Sequence, residues 1–265
     1  NFYWLMAILH LFGDSYSQGH KLDTHYPPYQ SWKNFLKGEL PPTWGELLAD
    51  KLKMTLSVRA VAGMSNHEIF MSFCKHCRDF SKGDIVMINW TYMPRFRWAS
   101  NERDNDGGIV LNTRSKPIPM WKRLGGGINP HDIFHIDKNT LRDIVLNRTD
   151  DLYLEEIYDY ETLIEDYAKA KGFDLYFWSA ENSLIFNLPK EDQRKRKYIL
   201  HDEFEISNTD HHFFAMLKKY GGLNIGDETK GAVNDMHLGE SGHRVQFEMF
   251  YDYIVNGKYQ YKKII

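Results

Sequence analysis

Apolar and polar positions change rhythm sharply along the chain. Residues Ala7 to Phe12 form an apolar run that stops at Gly13-Asp14-Ser15. A short run bounded by turn residues suits a strand buried on both faces. A polar and aromatic loop follows, through HYPPYQSW. PPTWGELLADKLKM then reads as a helix with prolines before it and Leu47, Leu48 and Leu52 on one face. Leu56 to Val61 is a second strand ending in AGMSN, where Ser65 or Asn66 can cap a helix continuing through HEIFMSFCKHCRDF.

Gly83-Asp84 opens a third strand, IVMINWT. Residues 92 to 137 carry prolines, a glycine cluster and many aromatics, and follow no period. Irregular stretches this long are uncommon unless functional or carrying small elements of their own. A long helix over about 151–171 is stopped by Gly172, FDLYFWSA makes a fourth strand, and KYILHD a weaker fifth. HHFFAMLKKYGG and GESGHRVQFEMFYDYIV read as the last helices. Strands alternating with helices imply a parallel sheet covered on both faces, an α/β fold of three layers with about five strands. In such sheets ligands bind at the carboxyl ends of the strands, so the turns after the first three are where chemistry belongs.

Composition narrows the classes. The chain has 265 residues, 42% apolar and 26% charged, with a net charge of −3. One domain of that size buries a sizeable core, and nucleic acid is not expected as the main partner. The basic run Arg194–Lys197 reads as a solvated loop. Cys74 and Cys77 fall inside a helical segment, so they read as packed thiols; a zinc site would need a second pair of ligands. The N-terminal apolar run is too short to span a bilayer and lacks signal-peptide flanks. Met6 reads as a natural start and residues 1–5 as a remnant, which favours a cytoplasmic product.

Ser15, in FGDSYSQG, lies just past the first strand, where backbone N–H groups can face an oxyanion. The same string also suits a serine or aspartate capping a helix. A serine becomes nucleophilic only when a base removes its proton. His237, in NDMHLGESGH, is a candidate base, and Asp235 two residues upstream can hold its tautomer and stabilise the imidazolium. Taken alone, His237 reads as a loop histidine without a role.

Together, FGDS after an N-terminal strand and DxHxxxxGH before a C-terminal helix resemble the SGNH hydrolases, also called GDSL-like esterases. That resemblance implies a flavodoxin-like α/β/α sandwich that hydrolyses esters without metal or cofactor. Ser15 would be the nucleophile, His237 the base and Asp235 its acidic partner, although the family's acid usually lies three residues before the histidine. Gly63 matches the glycine that donates an oxyanion-hole N–H beside that of Ser15. The family's GxND block is replaced here by INWT, leaving Thr91, the preferred positional equivalent, or Asn89 as the side-chain donor. Trp90, Arg95 and Asp14 are expected to face substrate. Aromatics and arginines in the neighbouring strings, including Tyr26, Tyr29 and Trp32, suit a carbohydrate ester carrying a small acyl group, and equally suit packing. Two other readings are a non-catalytic ligand-binding module on the same fold and a flavodoxin-like nucleotide binder. The second lacks a phosphate-cradling loop after the first strand.

Overall fold

The computed structural model describes residues 7–20, 26–62, 64–91, 99–103, 109–111, 150–179, 223–235 and 237–257. Four strands form one parallel sheet: β1 (Ile8–Phe12), β2 (Thr55–Val58), β3 (Ile85–Trp90) and β6 (Asp174–Ser179), in the order β2-β1-β3-β6. Strands β4 (Ala99–Arg103) and β5 (Ile109–Leu111) make a separate antiparallel pair inside the stretch expected to be irregular. The candidate fifth strand KYILHD and the helix at 211–222 lie outside the described residues.

Alternation along each strand explains why the sheet is covered twice. On one face Leu9, Leu11, Ile85, Met87 and Trp178 pack with Trp44 and Leu48 of α3 (Trp44–Leu52) and Phe250 of α7 (Glu240–Asn256). On the other, Phe12, Val86, Ile88, Trp90, Leu175 and Phe177 meet Ile69 and Phe73 of α4 (Asn66–His76) and Leu154, Ile157 and Ile164 of α5 (Asp150–Lys171). Along β1 and β3 both faces are covered, which is why these strands read as apolar runs rather than half-polar ones. Each large side chain fully buried here contributes roughly 1.5–3 kcal/mol. The α/β class with helices on both faces is therefore the one the strand and helix pattern implied.

Local signals set most helix ends. Thr43 and Glu46 form a capping box at α3, and Ser65 and Glu68 form another at α4. Gly172, at φ 78°, follows the end of α5. The string HYPPYQSW departs from the expected loop: Pro27–Leu36 is a helix, α2. Prolines at its first two positions supply the φ a helix start requires, so they open the element instead of excluding it. Tyr29 and Trp32, three apart, bury one face of α2 against Ile225 and Val233. Two short α-helices, α1 (Ser15–Gln18) and α6 (Ile225–Glu228), and one 3-10 turn at Cys77–Asp79 complete the described elements. Among the described residues, no helix is long and apolar enough to cross a membrane.

The start of α7 is held unusually close to its surroundings. A Cβ on Gly242 would lie 2.1 Å from the backbone oxygen of Leu223, and one on Gly239 would lie 2.2 Å from the Glu228 carboxylate. That carboxylate accepts from the N–H groups of Glu240 and Ser241 at 2.8 and 2.7 Å, capping the helix through its unsatisfied donors. Gly242→Ala should therefore force backbone movement and destabilise the chain by roughly 1–3 kcal/mol or more. In urea unfolding the midpoint should drop while the m-value stays unchanged.

Candidate active site

At the carboxyl end of β1 the chain turns through Gly13 with φ 149°, a conformation L side chains rarely adopt. A Cβ there would also sit 2.7 Å from both the Asn89 Cβ and the Ser17 hydroxyl. The glycine thus lets the turn press against the end of β3. Asp14 caps α1 by accepting from the Tyr16 N–H at 3.0 Å, and its carboxyl also accepts from Asn89 Nδ2 at 2.9 Å and Thr91 Oγ1 at 2.6 Å. Asp14, Asn89 and Thr91 are all fully buried. Burying a carboxyl is costly unless its oxygens find donors, and these three supply them.

Ser15 follows as the first residue of α1, half-buried at the sheet edge. The loop after β2 is tied to the same turn, with Val61 N–H donating to Gly13 O at 3.1 Å and Ala62 N–H to Gln18 Oε1 at 2.7 Å. Asn66 clamps that loop to β3: its side chain accepts from the Thr91 N–H at 2.7 Å and donates to the Thr91 carbonyl at 3.1 Å. Ser65, not Asn66, is the N-cap of α4.

The third component arrives from the C-terminal part of the chain. Ile225 N–H donates to His237 O and Gly226 N–H to Asp235 O, both at 2.9 Å, so the Asp-x-His segment is pinned to the start of α6. His237 Nδ1 lies 2.8 Å from Asp235 Oδ1, and the His237 backbone N–H donates to the same oxygen at 2.7 Å. The other carboxylate oxygen, Oδ2, accepts from the Tyr26 hydroxyl at 2.7 Å. Burial pushes the Asp235 carboxyl upward, but the hydrogen bonds and charge of His237, with the bond from Tyr26, outweigh it and hold the group below the ordinary carboxylate range. Three tyrosine rings surround the imidazole, with centroids at 5.2 Å (Tyr16), 5.6 Å (Tyr26) and 5.7 Å (Tyr29). The His237 side chain keeps 22% of its surface exposed.

The N-terminal turn and the C-terminal loop therefore meet, and Tyr16, adjacent to Ser15, is the point of ring contact. Among the described residues no hydrogen bond joins the Ser15 hydroxyl to His237, whose side-chain bond runs to Asp235.

A second buried connection lies below. Trp44 N–H can only donate, so His243 Nδ1 accepts it at 3.2 Å; His243 Nε2 then donates to His20 Nδ1 at 3.2 Å, and His20 Nε2 donates to Pro41 O at 2.7 Å. Burial holds His243 well below the usual imidazole range, and His20 and His237 push it the same way, so the relay runs through neutral rings. It joins α7, the N-cap region of α3 and the segment after α1.

Several expected substrate-facing residues are placed otherwise. Trp90 is fully buried, because alternation along β3 puts it on the core face with Val86 and Ile88, and its indole N–H donates to Glu161 at 2.9 Å. Asp14 is enclosed by the donors named above. Asn89 and Thr91 both turn their donors toward Asp14. Tyr29 and Trp32 are buried beneath the Asp235 loop. Gly63 and Arg95 lie outside the described residues. Sequence reading missed Tyr26 as a partner of Asp235, Asn66 as a clamp and the His20–His243 pair. Only the GH of LGESGH, near His237, offered a signal for any of them.

No family profile matches the chain, and no curated protein matches it. Among solved structures it is similar to the YxiM protein of Bacillus subtilis, with 12% identity and a TM-score of 0.40, covering 95% of this chain and 57% of that one. It is also similar to an acetyl xylan esterase from the rumen bacterium Butyrivibrio proteoclasticus, with 11% identity and a TM-score of 0.39, covering 95% of this chain and 64% of that one. The chain thus spans less than two thirds of either protein.

Two outcomes follow from this geometry. Thr91→Val keeps the shape but removes the shortest bond to the buried Asp14 carboxyl, and should cost about 1–3 kcal/mol in denaturant unfolding. The Asp235 pairing should stabilise the fold fully above the ordinary carboxylate pKa of 3.8 and lose that contribution as pH falls through the lowered folded value. Asp235→Asn should flatten that acid-side loss of stability in thermal melts between about pH 5 and pH 2.

Proposed function

We propose that the chain is a serine-dependent ester hydrolase that removes a short, acetyl-like acyl group, with Ser15 as nucleophile, His237 as base and Asp235 as its orienting acid. The observation that carries the reading is the contact between the Tyr16 ring and an imidazole whose Nδ1 rests on a buried carboxylate at 2.8 Å. That bond leaves Nε2 to take the Ser15 proton as Oγ attacks the ester carbonyl. Collapse of the tetrahedral intermediate expels the alcohol, protonated by His237, and leaves an acyl-enzyme that water hydrolyses by the same proton route in reverse. Asp235 keeps the tautomer and stabilises the transient imidazolium.

Oxyanion stabilisation in this scheme comes from the backbone N–H groups of Ser15 and Gly63. A third donor comes from Thr91 or Asn89, whichever releases Asp14 as substrate binds. The carbohydrate carrier is the finer part of the proposal and rests on the aromatic and arginine-rich string Tyr92–Trp98. A ligand-binding module without catalysis is the second reading, favoured by the engagement of both Asn89 and Thr91 with Asp14. Hydrolysis of p-nitrophenyl acetate and butyrate separates the two. Wild type should turn over at least the acetate, and Ser15→Ala should lose on the order of a thousandfold or more in kcat. A wild type inert toward every short ester, yet binding acylated sugars by calorimetry, would transfer the case to the second reading.

A further inference from the structure

The role of the Tyr26 hydroxyl is set by three observations. Tyr26 precedes α2, and its carbonyl accepts from the N–H groups of Tyr29 and Gln30 at 3.0 and 3.3 Å, so its backbone is fixed by the helix start. Its ring meets that of Tyr29 edge-on at 4.8 Å. Tyr29 and Trp32 of the same helix pack against Ile225 and Val233, which lie in the stretch leading to Asp235. Phenol and carboxylate are thus held by one shared apolar cluster, and their 2.7 Å bond follows from packing rather than from a flexible side chain finding a partner.

Asp235 needs that donor. Its side chain is only 3% exposed, and His237 occupies one of its two oxygens with both the backbone and the ring nitrogen. Without a second donor the other oxygen would be buried with less compensation, and the carboxylate could rotate away from the imidazole. We infer that Tyr26 is a positioning residue of this site: by donating to Oδ2 it locks the plane of the Asp235 carboxylate and so aims the His237 ring. The inference rests on the hydrolase reading for its consequence in catalysis, but not for the hydrogen bond itself. Among the described residues, the titratable groups acting on Asp235 are His237 and Tyr26.

The test pairs a chemical readout on Asp235 with a kinetic one. Carbon-13 NMR of the Asp235 carboxyl in the full chain should show Tyr26→Phe titrating at higher pH than wild type, because one of the bonds holding the anion is gone. Incorporating 3-fluorotyrosine at position 26, a stronger donor of nearly the same size, should move the titration the opposite way. A purely structural role would not produce that sign reversal. With p-nitrophenyl acetate, Tyr26→Phe should lower kcat on the order of tenfold and leave KM nearly unchanged, since the lost contact acts through the base rather than on substrate. If Asp235 titrates identically in all three proteins, or if kcat is unaffected where its titration has moved, the positioning role is overturned. If the carboxyl shifts as expected but wild type hydrolyses no ester, the hydrolase reading fails while Tyr26 retains its hold on Asp235. Should Tyr26→Phe not fold, the fluorotyrosine chain alone decides the question by the direction of its shift.

Discussion

The buried Asp14 carboxyl is the interaction on which the arrangement of the site depends. It accepts at once from the start of α1, through the Tyr16 N–H, and from the end of β3, through Asn89 and Thr91. Adjacent parallel strands fix the ends of β1 and β3 side by side, but nothing in strand pairing sets where the following turn points. Asp14 does so, and Gly13 permits the close approach that brings it within reach. Asn66 then ties the segment leading from β2 to the same place through the backbone of Thr91. Three turns that could each wander are joined by groups with no access to water.

The C-terminal segment reaches this edge by a different means. Gly239 and Gly242 allow α7 to begin against Glu228 and Leu223, and the neutral His243–His20 relay bolts its first turn to the segments around Pro41 and Trp44. A charged imidazole in either position would present a proton where the ring must accept one from its partner, and burial makes charging costly. The Asp235–His237 pair is carried on the stretch just before this anchor. Its Oδ2 bond to Tyr26 and the cluster under α2 complete the enclosure, leaving the imidazole as the partly exposed group.

Strands β1, β3 and β6 were legible because burial on both faces leaves an uninterrupted apolar signature that turn residues delimit. The long helix α5 and the capping boxes were legible for local reasons, since spacing and terminal hydrogen bonds are properties of neighbours in sequence. Asp235 beside His237 was legible for the same reason, two residues apart on one loop. Helix α2 was misread because Pro27 and Pro28 signal loop and helix start alike, and the choice depended on Tyr29 and Trp32 finding a surface supplied by residues some two hundred positions away. Trp90 was misread because an aromatic at a strand end can point to the rim or the core. Stacking on the Phe177 ring and contact with Glu161 decided for the core.

By itself the sequence determined the α/β layering, the order of the main elements and which short strings could carry nucleophile and base, because hydrophobic period and turn chemistry act over a few residues. Only the tertiary structure decided that Asp14 faces inward to Asn89 and Thr91, that Tyr26 meets Asp235 and that His20 meets His243. Those pairs are separated by 75 or more positions, and a hydrogen bond between distant residues leaves no period in the chain. It exists only when packing has brought donor and acceptor within about 3 Å of each other.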